Sequence, residues 1–285
     1  MKKIKKQKTS YTYEIIVVDS GSNDNTLTTA EYYKCKIFHI KRKDFSFGRS
    51  LNLGCNNAKG KFLVIVSGHC IPFDDYWLQN LLTPLDKQNI SYSYGKQIGG
   101  RETFWSENQI FKKYYGDKSQ IPQIGFFCNN ANSAILKTIW DEYKFNENVT
   151  GLEDLELAKR ITNKGLQIGY VANACVYHLH NESWSQVENR FRREALAMKY
   201  IFPAISTSLI YSFYCFLIAI TFDFYKSLLK NKNIFYLINI IRYRFFQYLG
   251  TYKGHKKLCV LNSSIRDSFY YPTKKNLNKI TNSKF

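Results

Sequence analysis

The stretch YEIIVVDSGSNDNT, residues 13–26, decides the fold. Ile15, Ile16, Val17 and Val18 form a short β-branched run that ends in Asp19, followed by glycine and small hydroxyl residues. A strand buried on both faces of a sheet meets its loop in this way. KCKIFHI (34–40) and KFLVIVSG (61–68) repeat the design. Between them, SFGRSLNLGCNNAKG (46–60) reads as a helix carrying Leu51 and Ala58 and capped by Gly60. Strand and helix alternate, so the chain is expected to be an α/β protein with a sheet flanked by helices.

The pattern continues downstream. DDYWLQNLLTPL (74–85) opens on a helix-capping acid and carries a stripe of Trp77, Leu78, Leu81 and Leu82. SYSYGKQIGG (91–100) reads as a strand and a glycine-rich bend, and 101–125 as irregular or helical. GLEDLELAKRITNKGLQIGYV (151–171) gives an acidic helix start, buried positions at Leu155, Leu157, Ala158 and Ile161, a stop at Gly165 and another strand. ACVYHLHNESWS (174–185) is a strand end and loop, residues 185–200 a basic amphipathic helix, and Pro203 a break.

The formal net charge is +19, and 201–285 holds 13 Lys and Arg against Asp223 and Asp267. Such an excess suits a nucleic acid, an anionic membrane or a phosphorylated substrate. The cations are interleaved with a long apolar stretch instead of covering a soluble face, so a membrane surface is the expected partner and nucleic acid is not. AISTSLIYSFYCFLIAITF (204–222) has 19 residues without a charge, near the lower limit for a span, but five are Ser or Thr. A helix lying on the membrane or packed on the domain is therefore expected. The seven cysteines form no CxxC pair and read as reduced thiols. No HExxH or GxxxxGK[ST] occurs, which excludes zincin peptidase and P-loop readings.

Several chemically competent residues fall after apparent strands, where ligands gather in open α/β sheets. Asp19 suits either a ribose or base contact or an Asx-turn. His69 is either a metal ligand or a hydrogen-bonded core histidine, and Cys70 beside it is expected to pack. Glu153 and Asp154 suit either a helix cap or a general base. His178 and His180, one residue apart on an extended chain, suit a metal or phosphate.

Together these motifs resemble the family 2 glycosyltransferases with the GT-A fold, especially bacterial rhamnosyltransferase-like members that build surface polysaccharide. The resemblance rests on EIIVVDSGSNDNT, on FSFGRSLNLGCNNAKGKFLVIVSGHCIP, and on the block from FFCNNANSAILK through GLEDLELAKRITNKG to VYHLHNES. It runs from about residue 13 to 200, and FQYLGTYKG (246–254) is similar to that family's C-terminal helices. The resemblance implies an inverting, metal-assisted transfer from a nucleotide-sugar donor to a glycan or lipid-linked acceptor. Asp19, Ser20, Asp24 and Arg49 would bind the nucleotide. His69, at the last acid of the family's metal motif, would hold Mg²⁺ or Mn²⁺ with His178 and His180. Asp154, with Glu153, would supply the base, and Arg192 and Arg193 would face the diphosphate.

Thirteen residues precede Glu14, and the resemblance implies that they are too few for the family's usual first strand and helix. The expected organisation is thus an N-terminally truncated GT-A domain over 1–200 and a helical, membrane-associating region over 201–285. The expected location is the cytoplasmic face of the inner membrane. The competing reading is an inactive fragment that serves only as a membrane-surface binding module.

Overall fold

The computed structural model describes residues 1–230, 234–256 and 269–271. In chain order its elements are α1 (Lys2–Lys5), β1 (Ile16–Asp19), α2 (Thr26–Tyr32), β2 (Lys36–His39), α3 (Phe47–Asn57), β3 (Phe62–Val66), β4 (Cys70–Pro72), α4 (Trp77–Lys87), β5 (Tyr92–Gly99), α5 (Trp105–Tyr114), β6 (Asn132–Leu136), α6 (Lys137–Tyr143), α7 (Glu153–Thr162), β7 (Ile168–His178), α8 (Trp184–Ile201), α9 (Leu209–Leu228) and α10 (Ile234–Lys256). They form two compact units. The first comprises Met1–Arg101, Phe111–Asn148 and Glu153–Leu179, and the second Glu102–Ile110, Val149–Leu152 and His180 onward.

The first unit holds a parallel pair, β1 with β2, and a five-stranded mixed sheet in the order β3-β6-β5-β7-β4. β5 and β7 are parallel, while β6 runs antiparallel to both β3 and β5. β3, β5 and β7 therefore point the same way, and their carboxyl ends share one edge with the start of β6. β4, antiparallel to β7, pairs Cys70 with His178 at that same edge.

Side chains alternate across this sheet and build a core on each face. On one face Tyr92, Ile135 and Tyr170 pack with Cys55 of α3, Trp140 of α6 and Leu157, Ala158 and Ile161 of α7. On the other, Ala134, Val171 and Val176 pack with Trp77, Leu78, Leu81 and Leu82 of α4, and those four α4 residues are no more than 4% exposed. Burial of each such leucine contributes about 1.5–3 kcal/mol. The helical stripes read in 74–85 and 151–171 are thus the faces that close the sheet.

Helix ends follow local chemistry. α4 has Tyr76 as its N-cap in place of the expected acid: Asp74 Oδ1 accepts the Tyr76 N–H (2.8 Å) in a turn ahead of the helix, and Gln7 Oε1 accepts the Leu78 N–H (2.9 Å) in its first turn. α7 stops where Gly165 adopts φ +81°, a conformation glycine enters without a Cβ clash. α3 ends earlier than expected. Its cap is the extended Ala58, not Gly60, because Lys137 Nζ donates to the carbonyls of Cys55 and Ala58 and ties off the last turn. Within 101–125, α5 accounts for the helical part.

In the second unit, α8 begins at a capping box in which the Ser183 N–H donates to Gln186 Oε1 at 2.8 Å. α8 and α10 meet backbone to backbone. A Cβ at Gly250 would stand 2.3 Å from the Glu188 carbonyl oxygen, and one at Gly254 2.5 Å from that of Arg192, so only glycine fits either position. The six cysteines among the described residues are free thiols, and Cys259 lies outside them.

Candidate active site

The carboxyl edge of the five-stranded sheet assembles a connected polar group. His69 sits in the turn between β3 and β4, and His178 is the last residue of β7. Their Nε2 atoms are 2.8 Å apart and their rings stack at 4.7 Å. His178 is 8% exposed, whereas His69 reaches solvent.

The proton arrangement on His178 follows from its neighbours. Gln97, on β5, donates through Nε2 to Asn129 Oδ1 (2.9 Å), so its Oε1 faces His178 Nδ1 at 2.6 Å. An amide oxygen only accepts, hence Nδ1 carries the proton and Nε2 presents its lone pair toward His69. Ser67 Oγ lies 3.1 Å from His69 Nδ1. Two imidazole nitrogens converging on one point, one of them fixed as an acceptor by an outer hydrogen bond, suit a divalent cation. These two residues fit the metal that the sequence reading expects.

The next residue along the chain leads to the carboxylate. The Asn130 N–H donates to Asp154 Oδ2 (2.7 Å), and Asp154 Oδ1 accepts the Leu155 N–H (2.7 Å). Glu153 and Asp154 open α7 and are 7% and 6% exposed. The helix start favours a negative charge here. Asn130 Oδ1 also accepts from Ser133 Oγ (2.7 Å) and from the Tyr92 hydroxyl. Asn129 and Asn130, consecutive residues, thereby join the histidine pair to the carboxylate.

Cys70 is packing, as the sequence reading expects. It is 8% exposed in the α4-side core, and burial pushes its thiol up to about 12, out of nucleophile range.

Asp19 ends β1 at 4% exposure. Its Oδ2 accepts the Gly21 N–H (2.9 Å) and its Oδ1 the Ser22 N–H (3.1 Å). Burial pushes its pKa up, but hydrogen bonds from Ser22 and Gly21 and the nearby His39 together hold it below the ordinary value. Ser20 follows it, half-buried. Asp24 is exposed and accepts the Thr26 N–H (3.0 Å) at the start of α2, an Asx turn. Arg49, on α3, bonds Glu147 Oε2 (3.0 Å) through Nε and the Asp44 carbonyl (2.8 Å) through a terminal nitrogen. It ties the segment before α3 to the loop between α6 and α7.

The remaining residues belong to the second unit. His180 Nδ1 pairs with Glu107 Oε1 at 2.7 Å, and Arg190 bonds both Glu107 and Glu182 at 2.7 Å. Burial raises the Glu107 carboxyl, yet His180 and Arg190 bring it below its ordinary value. Glu107, His180 and Glu182 present ligand atoms within 4.8 Å of one another, but the Arg190 guanidinium already supplies their positive charge, so this group does not fit a cation. Arg192 is 5% exposed, lies over the Phe269 ring, and has no hydrogen-bond partner at Nε. Its guanidinium carbon stands 5.7 Å from the centre of that ring. Arg193 reaches the Phe269 carbonyl at 3.5 Å, and its own carbonyl accepts from Thr150.

Sequence reasoning missed Gln97, Asn129, Asn130 and Arg190. The signal available for the first three was an amide within a strand, Gln97 in β5, and two amides just ahead of one, Asn129 and Asn130 before β6.

Comparison with known proteins agrees with this architecture. The chain is 28% identical over 188 residues to the O-antigen chain rhamnosyltransferase RfbN of Salmonella typhimurium, covering 62% of this chain and 60% of that protein. It is 24% identical over 196 residues to the O-antigen chain rhamnosyltransferase WbaN of Salmonella anatum, covering 65% and 62%. The matches thus span about three fifths of these relatives' own length. The mannosyltransferase PcManGT from Pyrobaculum calidifontis, solved with GDP-Man and Mn²⁺, superimposes with a TM-score of 0.59 at 12% identity, covering 88% of this chain and 81% of that one. That likeness is one of fold, the GT-A fold. Residues 1–143 match glycosyl transferase family 2, β1 to β6 and the His69 turn among them, and the chain belongs to that family.

Proposed function

We propose that the chain transfers a sugar from a nucleoside-diphosphate sugar to a hydroxyl of a glycan or lipid-linked acceptor, with inversion at the anomeric carbon. The observation that carries this reading is the continuous link from the His69–His178 pair through Gln97, Asn129 and Asn130 to Asp154. It sets a cation-competent pair and a buried carboxylate on one framework.

Asp154 acts as general base. Its carboxylate takes the proton of the acceptor hydroxyl, the acceptor oxygen forms a bond to the anomeric carbon, and the bond from that carbon to the diphosphate oxygen breaks. The electron pair of the broken bond leaves on the nucleoside diphosphate. The Asn130 and Leu155 N–H groups orient Asp154 at the start of α7, with Glu153 beside it. His69 and His178 would hold Mg²⁺ or Mn²⁺, with His180 the next imidazole along the chain. When bound, the cation supplies charge neutralisation at the departing diphosphate.

Asp19 has lone pairs beyond those used by Gly21 and Ser22, and these suit a ribose or base donor, with Ser20 and Asp24 in the same loop. Arg193 is the proposed diphosphate contact, whereas Arg192 and Arg49 hold structure. The two Salmonella relatives are O-antigen chain rhamnosyltransferases, which makes a deoxyhexose donor and a surface-polysaccharide acceptor the first pair to try.

The test is nucleoside-diphosphate release from UDP-, dTDP- and GDP-sugars with Mn²⁺ or Mg²⁺ and without either. The expected result is release with at least one donor that depends on the cation and is lost in Asp154→Asn. Silence across the panel, with no nucleotide binding, overturns the reading in favour of an inactive fragment.

A further inference from the structure

α9 is built inside out. The side chains it buries are polar, Ser212 at 4% exposure, Asp223 at 0% and Ser227 at 1%. The side chains it shows to solvent are large and apolar, among them Leu209 at 62%, Ile210 at 83%, Phe213 at 58%, Leu217 at 47% and Phe222 at 53%. A water-facing helix has the reverse pattern, and a contiguous apolar face of this size marks an interaction surface.

The length of α9, 20 residues, gives about 30 Å, which equals a bilayer's hydrocarbon thickness. Its anchorage argues against crossing. Arg244 of α10 grips Asp223 through two bonds of 2.8 and 2.9 Å, and both side chains are buried. The Trp105 indole N–H donates to the Asp223 carbonyl (3.2 Å), and Phe216 packs edge-on against Phe245 and Tyr248 of α10. One side of α9 is thus fixed to protein along its length, and an ion pair sits where a span would need hydrocarbon.

The charge around the face selects its partner. Lys226 and Lys230 lie at the carboxyl end of α9, and Arg242 and Lys256 are exposed on α10. A two-fold interface through α9 would bring these like charges against their copies. An anionic lipid surface instead accepts both the apolar face and the cations around it. We propose that α9 docks, lying in the plane of the interface, on an anionic bilayer, with the face that includes Ile210, Phe213 and Leu217 entering the headgroup and acyl boundary.

The test uses the full chain and flotation with vesicles of phosphatidylcholine alone or mixed with phosphatidylglycerol. The expected result is flotation with the mixed vesicles, weakened by salt and released by alkaline carbonate. Replacing Ile210, Phe213 and Leu217 together by Ser should reduce bound protein at least tenfold while helical circular dichroism is retained. Lys226→Glu with Lys230→Glu should remove the salt-sensitive part. No flotation of the wild-type chain overturns the proposal, as does resistance to carbonate, which indicates a span. A stable dimer that the triple Ser variant dissociates, without flotation, assigns the face to a second copy and also overturns it. None of these residues belongs to the proposed transfer site, so donor turnover in the variants separates failure here from failure of the transferase reading.

Discussion

His69 and His178, 109 residues apart in the chain, place their Nε2 atoms 2.8 Å from each other at the carboxyl edge of the sheet. A pair of lone-pair nitrogens so close is repulsive unless a proton or a cation lies between them. His69→Asp replaces one nitrogen donor with an oxygen donor and should preserve or raise cation-dependent donor turnover. His69→Ala should lower it about tenfold or more, measured as nucleoside-diphosphate release against Mn²⁺ concentration.

Asp154 combines burial with the position of a base. Asp154→Asn keeps the shape and the acceptor for the Asn130 N–H but cannot take a proton. It should reduce kcat by about 10²–10⁴-fold with little change in donor KM. Glu153→Gln should have the smaller effect, and thermal unfolding of both variants checks that the fold persists.

Gln97 fixes the tautomer of His178. Gln97→Leu removes the acceptor for Nδ1, frees the ring to present either nitrogen, and should weaken Mn²⁺ binding about 10–100-fold. Gln97→Glu restores an acceptor and should recover most of that loss, which a merely structural role would not explain.

Asp19 carries a pH signature. Its native pKa lies below its ordinary value of 3.8, so the stabilisation it provides is fully present above that value and is lost as pH falls through the lower native one. Asp19→Asn should therefore unfold at a lower temperature than wild type at neutral pH, and the difference should shrink on acidification. Melting curves across the acid range check this, and a constant difference would contradict it.

The elements legible in the sequence were those whose burial is periodic. The stripe Trp77, Leu78, Leu81, Leu82 and the set Leu157, Ala158, Ile161 both face the sheet, because a helix packed on one side writes its contact face as a 3.6-residue repeat. The meeting of His69 with His178 was not written locally, since it depends on β4 pairing antiparallel to β7. Gln97 and Asn130 escaped notice because an amide in or beside a strand looks the same whether it faces water or a buried ring. Arg192 shows the converse. The resemblance implied a diphosphate contact for it, and its side chain is 5% exposed beside the Phe269 ring, a neighbour far away in sequence. In α9 the apolar run was plain, but the polar stripe of Ser212, Asp223 and Ser227 only acquires meaning from Arg244 on another helix.

The most direct test of the account is Mn²⁺ binding followed by electron paramagnetic resonance, in the presence of a saturating nucleoside diphosphate, for the wild-type chain and His178→Ala. The account predicts one tightly bound Mn²⁺ in the wild type and binding at least tenfold weaker in the variant. Equal binding by the two proteins would contradict it.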